Sequence, residues 1–240
     1  ELSFAVRHVK AQAGINLTAS HNPPEYNGYK VYFEDGCQVV EPHASAIIAK
    51  VNAVESEDYP AVPESERGRV IPMGVDIDEA YMTRLATLPL DPDLIRRENS
   101  LKIVYTPLHG VGGVIIKPML QRLGFQCEGV AEQEVPDGRF PTVKSPNPEN
   151  AEALSMAIAQ ANRTGADLVI ATDPDDDRMG IAARNANGDM QLITGNQIGS
   201  ILAWYRSMKF FDKGILHSGN HARGVIIKTF VTTEFIRIST

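Results

Sequence analysis

Ser20 and His21 sit side by side in the stretch Thr18-Ala19-Ser20-His21-Asn22-Pro23-Pro24-Glu25-Tyr26-Asn27-Gly28-Tyr29-Lys30, which places a hydroxyl, an imidazole and an amine in one loop. Pro23, Pro24 and Gly28 keep that loop from continuing as helix or strand. Such a loop can hold a nucleophile, although a polar turn capped by Ser20 or Asn22 has the same local look. A second polar loop, Asp173-Pro174-Asp175-Asp176-Asp177-Arg178, must be weighed with it. Asp173, Asp175 and Asp177 alternate, and alternate residues of an extended loop point the same way. Three converging carboxylates repel one another unless a cation lies between them, and hard oxygen ligands select Mg²⁺ or Ca²⁺ over softer metals. Arg178 follows directly, and its planar fork can grip phosphate oxygens in pairs.

Other chemistries fit the same residues less well. An EF-hand needs Gly at its sixth position and Glu at its twelfth, where this loop has Arg178 and Arg184. A haloacid-dehalogenase-like phosphatase would use Asp173 and Asp175, but Asp177 stands where Thr or Val is usual, so that reading is a distant rival. Gly110-Val111-Gly112-Gly113 lacks the third glycine of a dinucleotide fingerprint, Ile115 standing there, and reads as a strand-to-helix turn. His109 reads as a structural hydrogen-bonder, His217 and His221 as surface residues, Lys228 as a solvated charge and Trp204 as core.

The elements that must hold these loops can be read from periodicity. Leu2, Ala5, Val6 and Val9 mark an opening helix closed by Gly14, and residues 15–18 form a short strand that delivers Ser20. Residues 29–33 and 37–40 flank Glu34-Asp35-Gly36, a hairpin signal because Asp-Gly accepts positive φ. A helix over 42–54 follows, with Pro42 in its first turn. Residues 55–75, rich in Glu, Pro and Gly, look like a boundary. Beyond them an amphipathic helix carries Ile77, Tyr81, Leu85 and Leu88. Strands over 101–105, 125–130 and 167–172 then alternate with helices over 114–123, ended by Gly124, and from Asn147-Pro148-Glu149 to Gly165. The all-apolar centre of 167–172 suits a strand covered on both faces, and the acidic loop leaves its C-terminal end, where open α/β sheets bind ligands. A further strand over 179–184 turns at Asn187-Gly188, and Thr194-Gly195-Asn196-Gln197 has capping-box spacing ahead of a new helix. The fold class is α/β, with mixed, mainly parallel sheets sandwiched by helices and right-handed crossovers.

The 240 residues carry a net charge of −7 and a 43% hydrophobic share, as in a soluble globular protein with a sizeable core. No cluster of Lys and Arg offers a face for nucleic acid, and no apolar run reaches the length of a membrane span. Two cysteines, Cys37 and Cys127, point to reduced thiols in the cytoplasm, and both read as packing residues. The chain opens directly on a helical pattern and closes without a terminating turn on Phe235-Ile236-Arg237-Ile238-Ser239-Thr240, so a piece of a longer protein is expected.

The Thr18–Lys30 and Asp173–Arg178 motifs occur in order with Thr106-Pro107-Leu108-His109-Gly110 and Thr194-Gly195-Asn196-Gln197. Together they resemble the α-D-phosphohexomutases, the superfamily of phosphoglucomutase and phosphomannomutase. Asp173-Pro174-Asp175 is similar to the bacterial phosphoglucomutase and phosphopentomutase branch, since the phosphomannomutase branch more often has Gly where Pro174 stands. The resemblance implies consecutive phosphohexomutase-type domains: 1–75 as the later part of domain I, 76–187 as domain II and 188–240 as the beginning of a truncated domain III. It implies that Ser20 is phosphorylated, that Ser20, Asp173, Asp175 and Asp177 hold Mg²⁺, that Lys30 is the general acid/base with His21 assisting, and that Arg178 braces the phosphoserine. The implied reaction interconverts hexose 1-phosphate and hexose 6-phosphate through a sugar 1,6-bisphosphate. Glucose phosphate is the first candidate, and phosphomannomutase or phosphopentomutase activity the alternative. A metal-dependent sugar phosphatase, or a fragment inactive by itself, is the more distant alternative. The implied partner is a sugar phosphate, with neither nucleic acid nor membrane, and the oligomeric state stays open.

Overall fold

The structure, a computed structural model, describes residues 1–56, 58 and 60–236. The end of the chain from Arg237, which the sequence reads as running on without a turn, lies outside the described residues. The chain divides into two compact units, Glu1–Thr18 with Asn27–Arg84, and Ala19–Tyr26 with the chain from Leu85 onward.

In the first unit, helix α1 (Leu2–His8) buries Ala5 and Val6. Gly14 does not close it. The helix ends at Lys10, whose φ is 55°, with the Ala11 N–H donating to the Val6 carbonyl (2.9 Å) and the Lys10 N–H to the Arg7 carbonyl (3.4 Å). That is the paired closure of a Schellman turn, with lysine where glycine is usual. Gly14 instead lies in strand β1 (Ala13–Leu17), where an added Cβ would come within 2.6 Å of Val6 Cγ2, so its small size lets the strand lie against α1. Strand β2 (Tyr29–Phe33) pairs antiparallel with β1, from Ala13 opposite Phe33 to Leu17 opposite Tyr29.

Gly36, at φ 74°, makes the expected turn after β2, but the expected partner strand shrinks to a single bridge between Tyr32 and Gln38. The Val40 carbonyl already accepts from the His43 and Ala44 N–H groups, which draws the chain into helix α2 (His43–Asn52). Cys37 beside that turn is exposed and not a packing residue. Pro42, expected in the first turn of α2, is instead its N-cap, one position earlier. Helix α3 (Val75–Leu85) buries Met82 and sets Tyr81 against Phe4 of α1, with ring centroids 5.3 Å apart.

The second unit is built on a five-stranded sheet of order β4-β3-β5-β6-β7. Strands β3 (Lys102–Thr106), β4 (Gln126–Gly129) and β5 (Leu168–Thr172) are parallel, whereas β6 (Met179–Arg184) and β7 (Met190–Ile193) continue it antiparallel. The sheet is therefore mixed. Side chains alternate across β3, as the two-residue period of a strand requires. Val104 faces a core of Val130, Leu154, Ala157, Ala161, Val169 and Ala182, while Ile103 and Tyr105 join Cys127 on the opposite face. Helix α6 (Ser155–Thr164) supplies Ala157 and Ala161 to the first core, and α5 (Ile116–Arg122) supplies the partly buried Ile116 and Leu120 to the second. Burial pushes the Cys127 thiol up to about 11, in keeping with a packing residue.

Local departures from the expected elements have physical causes. Helix α4 (Pro92–Arg97) was not anticipated, yet it starts on a clear signal, with Pro92 in its first turn and Asp91 Oδ1 accepting from the Leu94 N–H at 2.9 Å. Helix α6 begins at Ser155, not at Asn147. The Asn147 side chain instead closes a turn on the Glu149 N–H (3.0 Å), and Pro146 and Pro148 are wholly buried. The Pro148 carbonyl lies so close to Gly180 of β6 that a Cβ there would collide with it. Helix α7 (Gly195–Asp212) has the expected capping box, with Thr194 N–H donating to Gln197 Oε1 at 2.9 Å and Gln197 N–H to Thr194 Oγ1 at 3.3 Å. Trp204 on α7 is 51% exposed rather than core, because α7 buries Ile198 and Ser200 and leaves Ile201, Leu202 and Trp204 outward. Among the described residues no helix is long and apolar enough to cross a membrane.

The Pro148 contact can be tested by Gly180→Ala. It should lower stability by ~1–3 kcal/mol, the usual range for overpacking a filled site. Urea unfolding followed by circular dichroism would show it, and an unchanged midpoint would argue against the contact.

Candidate active site

Parallel pairing of β3 with β5 sets Thr106 opposite Ala171, so the loops that follow the two strands leave the same edge of the sheet. The β3 loop runs through His109 into Gly110-Val111-Gly112-Gly113 and then α5, the strand-to-helix turn expected of it. Its glycines have a further use. The Val111 N–H donates to the Pro174 carbonyl at 3.1 Å. A Cβ on Gly110 would collide with the Pro174 backbone, and one on Gly112 with Tyr105 and Asp176. The glycine turn is thus the seat on which the acidic loop rests. His109 is 3% exposed and its Nε2 lies 2.8 Å from Thr142 Oγ1, a structural hydrogen bond.

Asp173 organises the acidic loop. Its side chain is fully buried, and its Oδ1 accepts from the N–H groups of Asp177 (3.1 Å) and Arg178 (3.0 Å). The Asp176 N–H donates to its carbonyl at 3.0 Å, closing a tight turn in which Asp176 takes a φ of 60°. Asp173, Asp175 and Asp177 each offer an oxygen within 4.8 Å of the others. Oxygen donors at that spacing suit a hard cation with bonds of ~2.0–2.6 Å, so the three residues could hold a divalent metal. Asp176 has a different role from its neighbours. Its Oδ1 is buried on the Gly112 side without a hydrogen-bond partner among the described residues, and burial pushes its carboxyl up to about 6, against the Thr172 hydroxyl.

Ser20 belongs to the same unit. Its hydroxyl donates to Asp173 Oδ2 at 2.7 Å and lies 3.3 Å from His21 Nδ1. The Ser20 backbone has a φ of 54°, left-handed geometry that a non-glycine residue keeps only when its surroundings enforce it. Burial lowers the His21 pKa, as does the Arg178 charge, against the opposing pull of Asp177, Asp175 and Glu149. The shift favours the neutral imidazole, the form able to accept a proton. Arg178 is exposed at the end of the loop. Lys30 stands on β2 of the first unit, in register with Asn16 of β1. Lys228 is no solvated charge: it donates to the Thr232 carbonyl at 3.1 Å and pairs with Glu234 at 2.6 Å. His217 and His221 are exposed.

Sequence reasoning missed the seat made by Gly110 and Gly112 and the inward turn of Asp176. The first could have been suspected from three glycines spaced for close backbone approach. The second had no signal, because alternation assigns Asp176 only to the face away from its neighbours.

Residues 79–188 match the profile of phosphoglucomutase/phosphomannomutase, alpha/beta/alpha domain II, and residues 1–58 that of alpha/beta/alpha domain I. The chain belongs to the α-D-phosphohexomutase superfamily, the phosphoglucomutase/phosphomannomutase family. It is 37% identical over 216 residues to a Haemophilus influenzae protein provisionally named phosphomannomutase, covering 88% of this chain and 43% of that protein. It is 39% identical over 214 residues to a Staphylococcus epidermidis phosphoglucomutase, covering 86% of this chain and 38% of that one. A Thermus thermophilus crystal structure, itself provisionally assigned as a phosphomannomutase, superposes with a TM-score of 0.67 at 32% identity, over 87% of this chain and 44% of that chain. A phosphoglucomutase/phosphomannomutase family protein from Burkholderia thailandensis, at 24% identity and a TM-score of 0.56, shares the fold over 80% of this chain and 37% of its own. This chain thus spans less than half the length of these relatives.

Burial raises the Asp173 carboxyl to about 6, with the Asp175 charge adding to the shift and the Ser20 and Arg178 hydrogen bonds opposing it. A carboxyl raised in the fold holds its proton more tightly than in the unfolded chain, so its ionised form costs stability above about pH 6. A cation must displace that proton below about 6 and finds it already gone above. Affinity for Mg²⁺, measured by titration calorimetry, should therefore fall as pH drops from 7.5 to 5.5, by up to about tenfold per unit below the carboxyl's pKa. Affinity independent of pH over that range would contradict the assignment of Asp173 as a ligand.

Proposed function

We propose that the full-length protein is a phosphohexomutase in which Ser20 carries the phosphoryl group. The observation that carries this reading is the 2.7 Å hydrogen bond from the Ser20 hydroxyl to Asp173, one of three acids spaced to hold a cation. A phosphoserine brings ~−1.5 to −2 charges, and a second anion, the sugar phosphate, must approach it. Three carboxylates with no cation would repel both, so the arrangement makes chemical sense for a metal-assisted phosphoryl carrier and poor sense for a simple anion site. Mg²⁺ fits the all-oxygen donor set of Ser20, Asp173, Asp175 and Asp177, and when bound it would neutralise the phosphoryl oxygens.

In the first half-reaction the bond between phosphorus and Ser20 Oγ breaks as a bond from phosphorus to a sugar hydroxyl oxygen forms. The hydroxyl proton leaves to a base, and the product is a sugar 1,6-bisphosphate. The freed Ser20 oxygen takes up a proton. In the second half the bisphosphate turns over, and the bond from its other phosphorus to the sugar oxygen breaks as one to Ser20 Oγ forms. The Ser20 proton leaves to a base and the freed sugar oxygen takes one up. Such transfer depends on positioning and charge stabilisation more than on covalent assistance. His21, its ring nitrogen 3.3 Å from the Ser20 hydroxyl and its neutral form favoured by burial, assists at that oxygen, and Arg178 braces the phosphoserine. Lys30 moves the sugar's proton, an assignment that rests on the motif running from Tyr26 to Lys30.

The substrate pair is α-D-glucose 1-phosphate and 6-phosphate, supported by the Asp-Pro-Asp opening of the acidic loop and by the Staphylococcus relatives' name. The name of the Haemophilus relative keeps mannose phosphate as the alternative hexose, with a pentose phosphate behind it. Residues 1–75, 76–187 and 188–240 would be the later part of a first domain, a second domain and the opening of a third.

Ser20→Ala in the full-length protein should abolish conversion of glucose 1-phosphate to glucose 6-phosphate, measured with the bisphosphate supplied. Retained mutase turnover would sink the proposal. Phosphate release that ignores the loss of Ser20 would point to a phosphatase instead.

A further inference from the structure

The Ser20 loop has an anchor that the reaction leaves untouched. Ser145, 124 residues away in sequence, donates its hydroxyl to the His21 backbone carbonyl at 2.8 Å in a partly buried contact. Ser145 lies between β4 and α6, in a stretch with no helix or strand of its own, so something else must fix its position. A buried polar network does this. Gln133 is fully buried; its Oε1 accepts from Thr106 Oγ1 at 2.6 Å and its Nε2 donates to Thr142 Oγ1 at 2.8 Å. The Thr142 oxygen also meets His109 Nε2, and the His109 N–H donates to the Gln133 carbonyl at 3.0 Å. Pro146, directly after Ser145, is wholly buried. The end of β3 thereby grips the segment on one side of Ser145, and the core grips it on the other. A satisfied buried network of this kind rigidifies what it holds.

The Asp173 and Ser145 contacts of the Ser20–His21 pair differ in one respect. The bond to Asp173 uses the Ser20 hydroxyl proton, and that proton is the one a phosphoryl group replaces. A phosphorylated Ser20 cannot donate to Asp173. The bond from Ser145 ends on a backbone carbonyl, which phosphorylation does not alter. Resting on the reading of Ser20 as phosphoryl carrier, we propose that Ser145 is a positioning residue that holds the left-handed Ser20 backbone in place in both the phosphorylated and the free states. It touches no reacting atom. Its effect is on geometry at the transfer step, where a misplacement of about 1 Å can cost about a hundredfold in rate.

The test is steady-state kinetics on the full-length protein with glucose 1-phosphate and the bisphosphate supplied. Ser145→Ala should lower kcat by about tenfold or more with KM changed by less than about twofold, and Ser145→Thr, which keeps the hydroxyl, should recover most of the loss. Should the Ala variant fail to fold, Ser145→Cys, nearly isosteric but a weak donor, carries the same expectation. A kcat within about twofold of the parent in the folded Ala or Cys variant overturns the proposal. So does a loss that Thr fails to recover, since bulk packing rather than the hydroxyl would then be at work. Ser20→Ala run in parallel separates the two readings: turnover retained there overturns the phosphoserine itself, whereas an inactive Ser20→Ala beside an unaffected Ser145→Ala overturns only the positioning role.

Discussion

A buried carboxylate at the end of a central strand is the constraint from which the rest of this site follows. Asp173 leaves β5 with its side chain fully enclosed, and a lone ionised group in that position would be costly. The structure answers with hydrogen bonds: two backbone N–H groups from Asp177 and Arg178 bind one oxygen, and the Ser20 hydroxyl binds the other. Those bonds decide the shape of the loop. Wrapping the chain back onto Asp173 Oδ1 brings Asp175 and Asp177 near it, and the resulting crowd of negative charge calls for a cation. The group that shapes the loop is thus also one of the three whose spacing could hold a cation.

The sheet places this constraint where it can be used. Parallel β3 and β5 deliver two loops to one edge, and the glycine turn after β3 lets the acidic loop settle at backbone distance. Gly110 and Gly112 matter for what they omit, since a single methyl group at either position would push Pro174 or Asp176 out of place. The antiparallel strands β6 and β7 extend the same sheet away from the site, and Gly180 at the start of β6 accommodates the Pro148 carbonyl, which keeps the segment carrying Ser145 close to β6. Rigid elements and a satisfied polar network hold the Ser20 loop.

Much of this was legible in residue order. The grouping of Asp173, Asp175 and Asp177 was expected, although a tight turn and not an extended loop gathers them; apolar runs marked β3 and β5, and Thr194 with Gln197 announced α7. These signals are local: a period, a cap, a proline. The misses came wherever a distant contact overruled a local preference. Gly14 looked like a helix stop because glycine often is one, but its place was decided by Val6 packing across from β1. Asn147-Pro148-Glu149 carries every mark of a helix start, yet the burial of Pro148 against β6 holds it out of α6. Trp204 sits among apolar neighbours on α7, and only the sheet's actual extent shows that this side of the helix is not covered by the described residues. Asp176 turned inward for a reason no single-chain pattern encodes, the gap left by a glycine in another loop.

The central claim is that Ser20 carries a phosphoryl group between two sugar oxygens. The intact mass of the purified full-length protein addresses that claim directly. The expected result is an increment of one phosphate, mapped to Ser20 by fragmentation and discharged on incubation with a hexose monophosphate. A phosphate located on any other residue, or one on Ser20 that no sugar monophosphate removes, would contradict it.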